Sequence, residues 1–324
     1  MLVTANGPVS AGAPVLTTTV PREYVHRAAL SEVFLTGWQR TGTHAFTITA
    51  QWPRSHSFYT ATAGLHDPLI LCETVRQTFP LLLHTAYGTP LGHQLSWSRF
   101  SYALNPHALQ VERTPAELEL RVTGTEFSHR RGIPTAVSLD IAIYRDGTPI
   151  AVADTRFGCI APTVYRRIRA DRGDVTRVFA AVPDPITPLN PATAGRDNTR
   201  DVVLGHSDSP GRWPLRVDAT HPVLFDHPVD HVPGMLLLEA ARQAAHAMHP
   251  SAGTVLPTSM DVTFHRYVEF DSPCWIEAHP RSSCASAPGA LRVDAIQDGE
   301  VAFTAEVTVV PPPSSMCPAT APAA

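Results

Sequence analysis

The chain has 324 residues and a formal net charge of −4, and all 25 of its basic side chains are arginine, because the sequence contains no lysine. That excludes a Schiff-base nucleophile, a pyridoxal-phosphate anchor, a serine–lysine dyad and a phosphate loop ending in Gly-Lys-Ser/Thr, and leaves arginine, histidine or backbone N–H groups to hold any anion. A composition 44% hydrophobic and 17% charged supports two ordinary globular domains, and the acidic balance gives no reason to expect nucleic acid or an acidic membrane as partner.

Residues 1 to 20 carry little apolar content and no charged segment followed by an apolar run, so they are expected to be mobile rather than a targeting signal. A first domain is expected over 22–161. Thr43 to Gln51 alternates like a strand. Pro68 to Tyr87 reads as a helix whose only charged side chains are Glu73 and Arg76, with Pro80 expected to end or kink it after Phe79. Alternating segments follow at Leu95 to Phe100, Glu117 to Phe127, Thr135 to Tyr144 and Pro149 to Ile160, the last two joined by an Asp146-Gly147 hairpin turn.

Residues 162–199, rich in Pro, Asp and Arg, read as a linker in which Arg166, Arg167, Arg169 and Arg172 are solvated. A second domain is expected over 200–310. It has strand-like pieces at Val202 to Gly205 and Leu215 to Val217, then a helix from Val232 to Met248 whose only charges are Glu239 and Arg242. Strands follow at Val262 to Tyr267, Cys274 to Ala278, Ala290 to Ile296 and Val301 to Val310, with a turn at Asp298-Gly299. The Pro/Ser/Ala stretch 311–324 reads as a disordered tail. No run of about 18 apolar residues occurs, and five widely spaced cysteines without a CxxC pair point to a reducing compartment, hence a cytoplasmic protein.

The halves repeat one another. Leu69 to Gln77 and Leu236 to Gln243 share an apolar run followed by Glu-x-x-Arg-Gln, and the alternating segments and Asp-Gly turns follow in the same order. A nearly uncharged helix cannot lie on a surface, so each half is expected to be α+β, an antiparallel sheet wrapped around a central hydrophobic helix.

Glu239 and Arg242, three apart, share a helical face with His246 one turn on. Desolvation makes such a buried pair a poor source of stability, so its occurrence on both helices points to function, the alternative being an ion pair that caps the core. The segment from His221 to Met235 is the densest in polar chemistry. His221 reads as a turn histidine bonding nearby backbone, a reading also open to His231, and His227 is open between that and a site role. Pro233-Gly234 fits a helix start, so the N–H groups of Gly234, Met235 and Leu236 would face an incoming carbonyl or phosphate as an oxyanion hole. The histidine spacings match no common zinc pattern, and GxSxG, HExxH and GxGxxG are all missing, so neither metal nor dinucleotide cofactor is expected. Cys72 reads as a packed core thiol.

His227-Pro-Val-Asp-His-Val-Pro-Gly-Met-Leu-Leu-Leu-Glu-Ala-Ala-Arg-Gln243 resembles the hot dog motif of β-hydroxyacyl-carrier-protein dehydratases. Val25 to Trp38, Gln51-Trp-Pro-Arg54, Asp67 to Gln77, Pro90-Leu-Gly-His-Gln94 and Phe225-Asp-His-Pro-Val-Asp-His-Val-Pro-Gly-Met235 are more closely similar to the A-factor biosynthesis (AfsA) family of double hot dog proteins, over about residues 22 to 310. The resemblance implies a tandem double hot dog fold. It also implies an acyltransferase that moves a β-ketoacyl group from acyl carrier protein to the primary hydroxyl of dihydroxyacetone phosphate, in the biosynthesis of a γ-butyrolactone-type or related signalling molecule, without a cofactor.

On that reading Glu73 or Glu239 is the general base and Arg76 and Arg242 clamp phosphate or carbonyl. Gly234 and Met235 supply oxyanion donors, Asp226 and His227 orient or assist, and Gln77 and Gln243 contact substrate. The dehydratase histidine would align with Phe225 without a gap, so a dehydratase-type role for His227 does not carry over directly. A thioesterase or dehydratase on acyl-carrier-protein or acyl-CoA substrates, and a noncatalytic acyl-binding protein, are the alternatives. Two fused hot dog units make a monomer sufficient, with a homodimer also open.

Overall fold

Alternation of apolar and polar side chains gives every long strand one face for a helix and one for solvent. The protein is described here by a computed structural model over residues 18–130, 132–249, 254–281 and 289–313. The first half contributes β1 (Leu35–Arg40), β2 (Ala45–Trp52), β3 (Gln94–Leu104), β4 (Ala116–Arg130), β5 (Ile133–Arg145) and β6 (Thr148–Ile160). The second contributes β7 (Arg212–Pro214), β8 (Leu256–Phe264), β9 (Cys274–Pro280), β10 (Ala290–Gln297) and β11 (Glu300–Val310).

These strands form an 11-stranded sheet in the order β1-β2-β4-β5-β6-β3-β8-β11-β10-β9-β7. Inside the edge strand β1, the run β2, β4, β5, β6, β3 toward the centre answers β7, β9, β10, β11, β8 from the other end, which is the duplication written as topology. The halves join where β3 pairs antiparallel with β8, Tyr102 opposite Met260. Beside that seam Trp97 and Phe264, aligned by the repeat, stack with centroids 5.1 Å apart. Both Asp-Gly turns take two successive left-handed residues, Asp146 (φ 50) with Gly147 (φ 74) and Asp298 (φ 55) with Gly299 (φ 78), the geometry that matches the twist of the flanking strands.

Helix α1 (Pro68–Thr85) fills one half of the sheet, and after the short helices α2 (Pro162–Arg169), α3 (Val175–Ala180) and α4 (Pro191–Ala194), α5 (Gly234–Ala247) fills the other. The two long helices also touch each other. Leu69, Ile70, Leu71, Leu81 and Leu82 of α1 and Leu236, Leu238, Ala240 and Ala241 of α5 are buried, each large side chain contributing about 1.5–3 kcal/mol over exposure.

Several expectations are corrected. Helix α1 runs through Pro80 to Thr85; the proline removes one intrahelical bond, at about 3 kcal/mol, and burial along the helix offsets it. Val202 to Gly205 and Leu215 to Val217 make only the bridges Leu204↔Leu215 and Pro188↔Gly205, the neighbouring ladder strand being β7. β1 had no counterpart in the sequence reading.

In the linker, Arg169 is buried rather than solvated, its Nε donating to Asp230 (3.0 Å) and Nη1 to Glu269 (2.6 Å). Two carboxylates compensate its charge. Val20 is buried and donates its N–H to the Leu35 carbonyl at 2.9 Å, so that end of the expected mobile segment is fixed. The mobility expected for 1–17 and 314–324 lies outside the described residues.

Candidate active site

Helical spacing puts Glu73, Arg76 and Gln77 on one face of α1, and folding adds a residue from far upstream. Glu73 is fully buried. Its Oε1 accepts from Arg27 Nε (3.0 Å), Arg76 Nη2 (2.7 Å) and Gln77 Nε2 (2.7 Å), and its Oε2 faces Arg76 Nε (2.8 Å) and Arg27 Nη2 (2.6 Å). The second half repeats the cluster. Glu239, also fully buried, accepts from Arg196 Nε (2.8 Å) and Nη2 (2.7 Å), Arg242 Nη2 (2.7 Å) and Nε (2.9 Å), and Gln243 Nε2 (2.5 Å).

Gln77 also donates to the Glu32 carbonyl and accepts from Phe34 N–H, as Gln243 does with Asp201 and Val203. Arg27 and Arg196 were missed in the sequence reading. Their signal is a second repeat, Arg27 four residues ahead of Ser31-Glu32-Val33 and Arg196 in the same register with Arg200-Asp201-Val202.

This geometry argues against the base role expected of the two glutamates. Burial alone would raise both carboxyls, but the paired guanidiniums outweigh it and hold each at about 2. A saturated carboxylate with so low a pKa is a poor proton acceptor, and neither glutamate lines the main cavity. Gln77 and Gln243 are likewise fully buried and spent on backbone and glutamate rather than available to substrate. Because protonating either glutamate costs the native state more than the unfolded chain, stability is complete above about pH 4.5 and falls as the pH drops toward 2. Urea unfolding measured from pH 6 to pH 2.5 checks this; a midpoint that does not move across that range contradicts it.

The halves exchange contacts around these clusters. Arg27 Nη1 donates to Val223 O (3.1 Å), and Arg196 Nη1 to Phe58 O (2.7 Å). Asp226 is tied to the first half by the N–H groups of Ala28 (2.5 Å) and Ala29 (2.9 Å). Between the first-half cluster and the loop before α5 lies a cavity of about 500 Å³. Its polar lining includes His26, Arg76, Asp226, His227 and His231, and its apolar lining includes Phe79, Phe157, Val229, Leu237 and Phe264. Arg76 Nη1 carries no hydrogen bond to any described residue. Arg242 does not line this cavity, and its Nη1 is directed to Gly195 O at 3.4 Å.

The two helix starts differ sharply. Pro233 caps α5 without a side-chain acceptor, Leu236 N–H turns back to Pro233 O (3.0 Å), and the N–H groups of Gly234 and Met235, both cavity-lining residues, have no partner among the described residues. A Cβ on Gly234 would lie 3.1 Å from Trp97 and 3.2 Å from Phe264, so glycine is what fits there. At α1, by contrast, the Asp67 carboxylate accepts from Leu69 N–H (2.9 Å) and faces Arg196 Nη1 (3.4 Å). The protein's own anion thus occupies, at the start of α1, the first-half equivalent of the position that stays open at α5.

Among the histidines, His221 is buried and accepts from Leu224 N–H (3.1 Å) through Nδ1, as His56 does from Tyr59 (3.0 Å). His227 is 44% exposed, 3.5 Å from Asp226, and burial lowers its pKa against the pull of that carboxylate.

The profile of the A-factor biosynthesis hotdog domain matches residues 10–161 and 179–312, both halves of the repeat. The chain belongs to this family. Among its relatives in the A-factor biosynthesis family is the 2-oxo-3-(phosphooxy)propyl 3-oxoalkanoate synthase of Streptomyces virginiae, 45% identical over 89% of this chain and 97% of that protein. The synthase of the same name from Streptomyces griseus is 40% identical over 87% of this chain and 92% of its own length. In structure, the family member resembles a putative oleoyl thioesterase from Lactobacillus plantarum, with a TM-score of 0.52 at 12% identity, covering 85% of this chain and all of that one. The architecture is therefore the α+β double hot dog. No helix among the described residues is long and apolar enough to cross a membrane.

Proposed function

We infer that this chain is a 2-oxo-3-(phosphooxy)propyl 3-oxoalkanoate synthase, an acyltransferase that joins a β-ketoacyl group to the hydroxyl of dihydroxyacetone phosphate on the way to a γ-butyrolactone-type signalling molecule. The observation that carries this reading is the cavity. It joins an arginine with a free N–H edge, a helix N-terminus with two unclaimed N–H groups and an extended apolar wall. Those three features match a phosphate, a thioester carbonyl and an acyl chain.

Arg76 neutralises the phosphate. The Gly234 and Met235 amides, aided by the dipole of α5, stabilise the oxyanion that forms when the hydroxyl attacks the thioester. Phe79, Phe157 and Leu237 receive the chain. Asp226 fixes the loop that carries His227 against the first half. Glu73 and Gln77 act by aiming Arg76, while Glu239, Arg242 and Gln243 brace the second half.

The acyl donor we propose is acyl carrier protein carrying a β-ketoacyl chain. Because first-half arginine and second-half loop meet within one chain, the proposed catalyst is complete as a monomer. Incubation of the pure protein with β-ketoacyl carrier protein and dihydroxyacetone phosphate is expected to give the phosphorylated ester by mass spectrometry. Intact thioester, or free acid formed regardless of the triose phosphate, would replace this reading with another.

A further inference from the structure

Four histidines line the cavity, His26, His227, His231 and His265, and the surroundings of each decide what it can do. His265 is exposed and its Nε2 pairs with the Thr304 hydroxyl at 3.2 Å. His26 is bound through Nε2 to His84 (2.8 Å), and burial with the nearby Arg76 charge drives its pKa down to about 3, leaving a weak base. His227 is loosely held, 3.5 Å from an Asp226 already engaged by two backbone N–H groups. His231 alone of the four has an anchored carboxylate behind it. Its Nδ1 lies 2.7 Å from Asp230 Oδ1.

Asp230 is itself buried, takes the Tyr165 hydroxyl at 2.8 Å on both oxygens and Arg169 Nε at 3.0 Å, and receives Arg169 Nη2 on its backbone carbonyl at 2.9 Å. Burial would raise this carboxyl, yet His231, Tyr165 and Arg169 hold it at about 2. An ionised carboxylate only accepts, so Nδ1 of His231 must carry the proton, and in the neutral ring Nε2 keeps its lone pair. No described residue bonds that Nε2. The ring packs on Tyr267 with centroids 4.5 Å apart and is two residues before the cap of α5.

We propose that His231 is the catalytic base of the acyl transfer, with Asp230 as its positioning residue and Tyr165 and Arg169 of α2 as the anchors of Asp230. This assignment rests on the acyltransferase reading given above. The triose hydroxyl passes its proton to His231 Nε2 as its oxygen bonds the thioester carbonyl carbon. The carbon–sulfur bond then breaks, and the leaving thiolate takes that proton from the imidazolium, so ester and free thiol form and neutral His231 returns. The segment that reads as a linker in the sequence thereby acquires a purpose, since α2 lies within it.

The test is ester formation by His231→Gln, a variant at a partly exposed position, with Asp230→Asn beside it. His231→Gln is expected to lower kcat about a hundredfold or more while the KM for dihydroxyacetone phosphate stays near that of the wild type. Asp230→Asn is expected to lower kcat similarly and to remove the Nδ1-protonated signature of His231 in nitrogen-15 NMR spectra, which the wild-type protein shows. A folded His231→Gln protein with nearly unchanged kcat, or a wild-type His231 protonated on Nε2 alone, overturns the assignment while leaving the acyltransferase reading intact. No ester from the wild-type protein overturns that reading and this role together.

Discussion

Glu239→Ala is expected to destabilise the chain so severely that lost activity is secondary. The carboxylate is fully buried and compensates two guanidiniums whose side chains are only 3% and 9% exposed, Arg196 and Arg242. Removing one partner of a buried ion pair leaves uncompensated charge in a low-dielectric interior and costs about 3–5 kcal/mol, a large part of the roughly 5–15 kcal/mol that holds a domain together. Here one deletion strands Arg242, leaves Arg196 with only the Asp67 carboxylate at 3.4 Å, and takes one of two acceptors from the Gln243 amide.

Glu239→Gln, which keeps the shape and loses the charge, is expected to fall between the two. Urea unfolding and thermal melts distinguish this from chemistry. A glutamate acting as proton acceptor would give a folded, inactive variant with a near-native Tm, and that outcome for Glu239→Ala would overturn the structural role. His227→Ala, at a half-exposed position outside both clusters, is the control expected to melt near the wild type.

The fate of Glu239 also shows what a linear sequence conveys. Glu-x-x-Arg-Gln is local, so its repetition, its helical face and the wrapping of its helix by sheet were all readable from spacing. The number of partners a charge has is not local. Arg27 and Arg196 reach Glu73 and Glu239 only because the chain folds back on its own helices, and without them a buried glutamate looks like a free base.

Arg169 was misjudged for the same reason, since its partners Asp230 and Glu269 are 61 and 100 residues away. Pro80 failed as a breaker because a local propensity met tertiary burial. Pro233-Gly234 succeeded because a helix start is determined by the residues at that start. The divergence of the two halves was present in the aligned letters, Asp67-Pro68 against Pro233-Gly234, but its meaning needed the Asp67 carboxylate to be seen capping one helix while the other stayed open.

That divergence separates the two arginines that the sequence treated alike. Arg76→Met is expected to raise the KM for dihydroxyacetone phosphate by roughly ten- to a hundredfold, because a charge-assisted hydrogen bond contributes about 1.5–3 kcal/mol and the other cavity-lining arginines are engaged elsewhere, Arg27 by Glu73 and the Val223 carbonyl and Arg266 by Glu300. The KM for the acyl thioester is expected to change little, since the chain is held by Phe79, Phe157 and Leu237. The fold is expected to survive, because Glu73 keeps Arg27 and Gln77 as partners.

Arg242→Met is expected to behave oppositely, lowering the melting temperature without a selective effect on the triose phosphate, since its guanidinium is turned to Glu239 and Gly195. Arg76→Lys would restore charge without the two-pronged grip on Glu73, so its KM should lie between wild type and Arg76→Met. Equal losses for both substrates in Arg76→Met, or the same triose-specific loss in Arg242→Met, would mean that the phosphate is bound elsewhere and that the open helix start at Gly234 does not mark the working half.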